Sequence, residues 1–546
     1  MAQLFGTFSF LVVLLRAAIL CFQTMAMGGI LFFLLVTRKK DRRREELLRP
    51  GWKLIRGSAL ALAVSQLLFV AANSLMLTIS SGISIREVLG ANFAFAGMLA
   101  VVGGLVLVLW PKGQRRTVSP VTLVPVAFIL TASVMTSHSA SRLEDRAALM
   151  ALSSIHFLTT ASWIGGLPFL LLSLNRVTDS EARTCISRNF SRLALISVLL
   201  LFAAGFSMTF WYVGSWAAVY GTAYGIMVST KIVFFGCLLL LGAANYSIVR
   251  GIDRDSTSSV KSLIRFGEAE VGIGLTVILV AASLTSLPPG ADLTQDRVTL
   301  REIVTRYSPR MPRFSSPQLK DISESTDEVR RRAIAAGQKL PEAFATGQPG
   351  MAPNTPADIA WSEYNHSWAG IIVFLMGILA LLSRSRYFPW ARNWPLMFLG
   401  LAVFLFLRAD PENWPLGPNG FWESFAVTDV LQHRMAVLLI IVFAAFQWMV
   451  ETNRLKSRAA ALVFPGVCAL GGVVLLTHTH ALSNVKEEML VELSHTPLAI
   501  FAVLAGWSRW LELRLPGENQ IHKYLAWVWP ICFIIIGMIL MDYHES

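Results

Sequence analysis

The chain has 546 residues, of which 54% are hydrophobic and only 15% charged, with a mean hydropathy of +0.57. Runs of about twenty apolar residues recur between short polar loops, the length a helix needs to cross a bilayer, so a soluble enzyme is excluded. The net charge of +13 sits in those short loops, where it sets topology and does not mark nucleic-acid binding. The five cysteines are scattered singly with no CxxC pair, which excludes a disulfide framework.

In lipid every backbone amide must be bonded internally, so the expected fold is all-α, a polytopic bundle of about fourteen transmembrane helices. The first span is expected over 8–36 and reads as a retained helix, because it lacks a basic leader and its apolar run is too long for a cleavable signal. The cluster Thr37-Arg-Lys-Lys-Asp-Arg-Arg-Arg-Glu that follows belongs in the cytoplasm. Counting from it, spans fall near 57–80, 88–110, 119–138, 147–174, 190–212, 223–247 and 267–287. The inner loops then hold Lys112, Arg115 and Arg116, next Arg176, Arg183, Arg188 and Arg192, then Arg250, Arg254, Lys261 and Arg265.

The region 291–365 is polar and irregular and reads as an extracytoplasmic linker, with a short helix expected over 325–336. A second block of six spans, 366–546, follows near 366–384, 395–408, 428–450, 461–478, 494–512 and 525–541. Both termini are then outside. Within the first block, Met27-Gly-Gly and Ile164-Gly-Gly close two spans of the same direction, which suggests two parallel four-helix repeats.

With this topology eight of the nine histidines gather towards the outer face. Lone interfacial rings such as His138 and His544 read as solvated side chains. His156 lies inside an apolar span, where a polar group is costly and tends to be functional. His366, His433, His478, His480 and His495 mark span ends, and imidazole is a common copper and zinc ligand. Asp429, Glu492 and Glu363 stand three or four residues before His433, His495 and His366, so each pair shares a helix face where a carboxylate can orient a ligand ring. Met25 and Met27 are soft thioether candidates. Arg16 and Lys231, charged and inside spans, read as snorkelling side chains. Trp211 and Tyr212 read as interfacial aromatics.

Ser154-Ile-His-Phe-Leu-Thr-Thr-Ala-Ser-Trp-Ile-Gly-Gly, Arg188-Asn-Phe-Ser-Arg-Leu-Ala, Gly221-Thr-Ala-Tyr-Gly-Ile-Met-Val-Ser-Thr-Lys, Gly242-Ala-Ala-Asn and Arg265-Phe-Gly-Glu-Ala-Glu occur in that order. Over about residues 1–290 this resembles the copper-resistance protein D (CopD/PcoD) family. The resemblance implies an eight-helix domain of the bacterial inner membrane that moves copper inward, beside a periplasmic copper carrier of the CopC type. It carries over His156, Trp163, Tyr224 and Lys231 as motif positions. The second block matches no family on its residues.

The expected function is therefore copper transport or handling, with an outer His/Met site capturing the ion. No Walker motif is present, and no enzyme is expected. Two alternatives use the same residues: a b-type haem protein with axial pairs such as His433 with His495 or His366 with His156, and an accessory copper-delivery subunit of a larger membrane complex.

Overall fold

The computed structural model describes residues 2–37, 44–111, 118–251, 256–295, 297–322, 355–411, 413–425, 428–477, 486–517 and 520–544. Among them there are helices and turns and no strand. Twelve helices are long and apolar enough to cross a membrane. Two further expected spans fall on weaker candidates: the short apolar stretch Pro120–Met135, and the helix Ser256–Leu284, whose first half carries Lys261, Arg265, Glu268 and Glu270. Many helices keep an apolar face outward. Along Ser180–Tyr212, for example, Leu199, Phe202, Phe206 and Phe210 are all more than half exposed. Such a face is stable in lipid and not in water.

The chain forms two compact units, one of residues 3–297 with 515–519 and one of 1–2, 298–514 and 520–546. In the first unit the helices Ala2–Leu35, Arg44–Ser81, Asn92–Leu109, Leu123–Met135, Arg146–Trp163, Ser180–Tyr212, Ala223–Gly251 and Ser256–Leu284 follow one another. A turn after Trp163 leads into Leu167–Arg176, where Pro168 occupies the first helical turn and costs no hydrogen bond. The two glycine pairs noted in the sequence meet each other. A Cβ on Gly28 would lie 2.3 Å from the Gly165 backbone, and one on Gly165 would lie 2.0 Å from the Thr24 carbonyl oxygen. Small residues let backbones approach this closely, which is how packing holds helices together in lipid.

In the second unit Ile521–Met541 packs against both Pro356–Leu382 and Lys486–Arg514, and the latter also packs on Val463–Thr477. Glycines again set the contacts: Gly370 faces Met541, Gly377 faces Ile534, and Gly537 faces Phe374. Trp394, Phe464 and Trp529 fill the core beside Met376 and Cys532. At one end of this unit Arg384 and Arg509 both engage Glu512, and Arg509 also reaches Glu451 at 3.0 Å. The Trp529 indole donates to Glu512 at 2.9 Å.

The second unit begins earlier than expected. Thr355 caps a helix that starts at Pro356, because its hydroxyl accepts from the Asp358 amide while Asp358 bonds back. The preceding segment is ordered by contacts, with a capped helix Leu300–Arg306. Tyr307 donates to the Leu493 carbonyl at 2.6 Å, the Arg310 amide to Asp542 at 3.1 Å, and Arg313 pairs with Glu363 at 2.9 Å. The helix expected over 325–336 lies outside the described residues.

Candidate metal-handling sites

The first unit holds a cluster of polar side chains where several helices begin and end. Ser139, on the short helix His138–Ser141, bonds Ser153 of the helix Arg146–Trp163 and, at 2.8 Å, Tyr212 at the end of Ser180–Tyr212. Ser153 also donates to the Met208 thioether at 3.6 Å. The His138 ring lies 6.1 Å from Tyr212 and 6.2 Å from Tyr224. Its Nε2 is buried without a partner. Arg142, paired with Asp292 at 2.9 Å, lies over the Tyr212 ring.

His156 sits one turn further along the same helix as Ser153, about 4.5 Å deeper at the helical rise. Its Nδ1 is buried and unpartnered, and the ring lies beside Gly205, one turn from Met208. The cluster therefore has two tiers along the helix: His138 beside the two tyrosines, with Met208 bonded to Ser153, then His156. An unpaired imidazole nitrogen in a low-dielectric interior costs free energy unless something binds it. Soft and borderline metal ions are what imidazole and thioether bind in common.

Residues 185–284 match the family model "Copper resistance protein D". The matched residues take in most of the last three long helices of the first unit, and with them Met208, Tyr212, Tyr224, Lys231 and Glu270. The chain is also 29% identical over 163 residues to "Copper transport protein CutJ" of Bacillus subtilis (strain 168), a match covering 29% of each chain. It thus spans less than a third of that relative's length. No solved structure matches.

Beside the matched segment the other expected residues take varied places. Trp163 and Tyr224 are buried, Trp163 packing 6.2 Å from Phe235. Met27 is buried in the helix crossing and Met25 is half-buried. Arg16 does not snorkel: it is buried and donates to the Thr136 carbonyl at 3.0 Å, beside Gln23, Gln66 and Ser133. His138 is not merely a solvated ring, and Met208, in the sequence one of several methionines towards the expected outer face, is bonded by Ser153. Their signal was a serine or tyrosine hydroxyl brought in from a distant helix, which spacing along one chain does not display.

In the second unit the rings of His366 and His495 lie 6.3 Å apart, with Tyr543 stacked 3.8 Å from His366. Glu363 turns to Arg313, and the His366 Nδ1 donates instead to the Ser362 carbonyl at 2.8 Å. Glu492 is buried one turn before His495, whose Nδ1 donates to the Val491 carbonyl at 2.8 Å. His433 is exposed and pairs through Nδ1 with Asp410 at 2.7 Å, a carboxylate the helical spacing did not indicate. His478, His480 and the Asp429 side chain lie outside the described residues. Among the described residues no group of three His, Cys, Asp or Glu is placed to hold a metal ion.

Proposed function

We propose that this chain carries copper across the bacterial inner membrane, taking the ion from the periplasmic side into the first unit through His138 and Met208 and then His156. The observation that supports this most directly is the pair of buried, unpartnered nitrogens, His138 Nε2 and His156 Nδ1, one tier apart. The family match to the neighbouring helices and the printed name of the Bacillus relative point to copper as the cargo. Capture at the outer face, supply by a CopC-type periplasmic carrier, and termini on the periplasmic side belong to the same reading.

The chemistry asked of the residues is exchange. Each tier offers few ligands, so an ion is held weakly enough to move on, and neutral imidazole releases no proton when it binds. Copper uptake into proteoliposomes tests the route. His138→Ala and His156→Ala should each reduce the initial rate at least tenfold, with folding checked by size exclusion. Wild-type uptake in both variants would overturn the route.

A b-type haem fits poorly. Of its expected axial pairs, His433 with His495 would need a ring that is exposed and held through Nδ1 by Asp410 at 2.7 Å.

A further inference from the structure

One positive charge of the first unit is buried where the helices around it offer no carboxylate. Arg16, near the middle of the helix Ala2–Leu35, is only 9% exposed. Its Nη2 donates to the Thr136 carbonyl at 3.0 Å and to the Thr136 hydroxyl at 3.2 Å, and the guanidinium lies 5.7 Å from the centre of the Phe69 ring. A guanidinium has five N–H donors. Nη2 gives both its hydrogens to Thr136, while Nε and Nη1 bond no described residue. Three more buried polar heads meet Arg16: Gln23 from the same helix, Gln66 from Arg44–Ser81, and Ser133 from Leu123–Met135, which bonds Gln23 at 2.8 Å. Together they line a small cavity, with room for a monatomic ion or about one water, whose apolar wall includes alanines of Asn92–Leu109 and Leu123–Met135.

Burial decides the kind of ligand. Taking an unpaired charge out of water costs far more than the polar bonds around it return, and a charged side chain inside a span normally has a partner. Ala2–Leu35, Asn92–Leu109 and Leu123–Met135 contain no Asp or Glu. Arg44–Ser81 has only Glu45 and Glu46 in its first turn, about 30 Å from Gln66 at the helical rise. Thr136 closes Leu123–Met135, and the carbonyl end of a helix carries only about half a negative charge. A water in the cavity would satisfy N–H groups and leave the rest of the charge unmatched; an anion does both. The lining offers no thioether, imidazole or carboxylate around its positive charge, so copper is repelled here. A monatomic anion fits the space, whereas sulfate or phosphate, with four oxygens, does not.

We propose that Arg16, with Gln23 and Gln66, forms a halide site inside the first unit, holding one chloride that neutralises the buried guanidinium. These residues precede the copper-resistance match at 185–284, and the site stands independently of the copper reading.

The test uses the full chain purified in mild detergent in gluconate buffer, with chloride titrated in and followed by the quadrupolar broadening of its NMR line. The parent should broaden the line above a detergent blank. Bromide should displace the chloride, and sulfate at equal ionic strength should leave it in place. Arg16→Gln should abolish the bromide-sensitive broadening. Gln66→Leu, which keeps Arg16 and its bonds to Thr136, guards against a misfolded Arg16 variant and should weaken chloride binding about tenfold, as loss of a hydrogen bond to an ion does. Displacement by sulfate as readily as by bromide would assign the chloride to the basic loops and overturn the site. So would an unbroadened line in the parent, or parent affinity in either variant. Copper enters none of these readouts, so this site and the transport route can fail separately.

Discussion

Single residues in this protein divide into charges that are matched and nitrogens that are not. Glu512 illustrates the first group: it is buried, and Arg384, Arg509 and the Trp529 indole all converge on it. Two guanidiniums share that carboxylate over the Trp529 ring, so removing its charge takes from Arg384 its bidentate partner and leaves Arg509 with Glu451. Loss of one partner from a buried ion pair typically costs about 3–5 kcal/mol. Glu512→Gln is therefore expected to lower the thermal midpoint of the purified protein sharply, and a midpoint within a degree or two of the parent would show that the network contributes little. His138 and His156 belong to the second group. Their unpartnered nitrogens bond nothing in the fold, so His156→Leu, which fills the same space without a ligand, should impair transport while lowering the midpoint far less than Glu512→Gln. The contrast separates a structural cluster from a functional one in a single assay.

Helices in lipid cannot be held by excluding water from apolar faces, so the elements here lock by close approach at small residues. Gly28 and Gly165 are the tightest example, since any Cβ at either would overlap backbone atoms of the opposite helix. Backbone does not yield as a side-chain tip does. Gly28→Val and Gly165→Val should each abolish the monodisperse detergent-solubilised species. Gly57→Ala, a helix position with open space around it, should be neutral or gain up to about 1 kcal/mol. If Gly28→Val purified like the parent, the crossing would have to be looser than this packing. The sequence displayed the two Gly-Gly pairs as a candidate repeat. That they face each other was not legible, because a one-dimensional spacing carries no information about which helices touch.

At the scale of the whole chain, hydropathy alone places nearly every helix, since the bilayer enforces one length and one backbone geometry on each. The sites were harder to read. Apolar context singled out His156, but His138 looked like any interfacial ring until helices from residues 139, 153 and 212 met around it. The carboxylates at helical spacing were misleading for a related reason: Glu363 found Arg313 from a segment some fifty residues earlier. The span count is where length and charge pull apart. Twelve helices meet a strict length and hydropathy standard, while Leu123–Met135 is only 13 residues long and Ser256–Leu284 carries charges in its first half. If neither crosses, everything from Arg146 to Gly251 inverts, and Arg176, Arg183, Arg188 and Arg192 would face outwards against the positive-inside rule. If both cross, those arginines lie in the cytoplasm. Thr178→Cys separates the two arrangements, because its exposed position lies between Arg176 and Arg183. With the orientation proposed above, Met311→Cys, 90% exposed, is outside in either case and serves as the positive control. With a membrane-impermeant maleimide on intact cells, Met311→Cys should label above the background of the five native thiols. Thr178→Cys should label only after the membrane is opened. Labelling of both in intact cells would reduce the bundle to twelve spans and place the arginine loop on the periplasmic face.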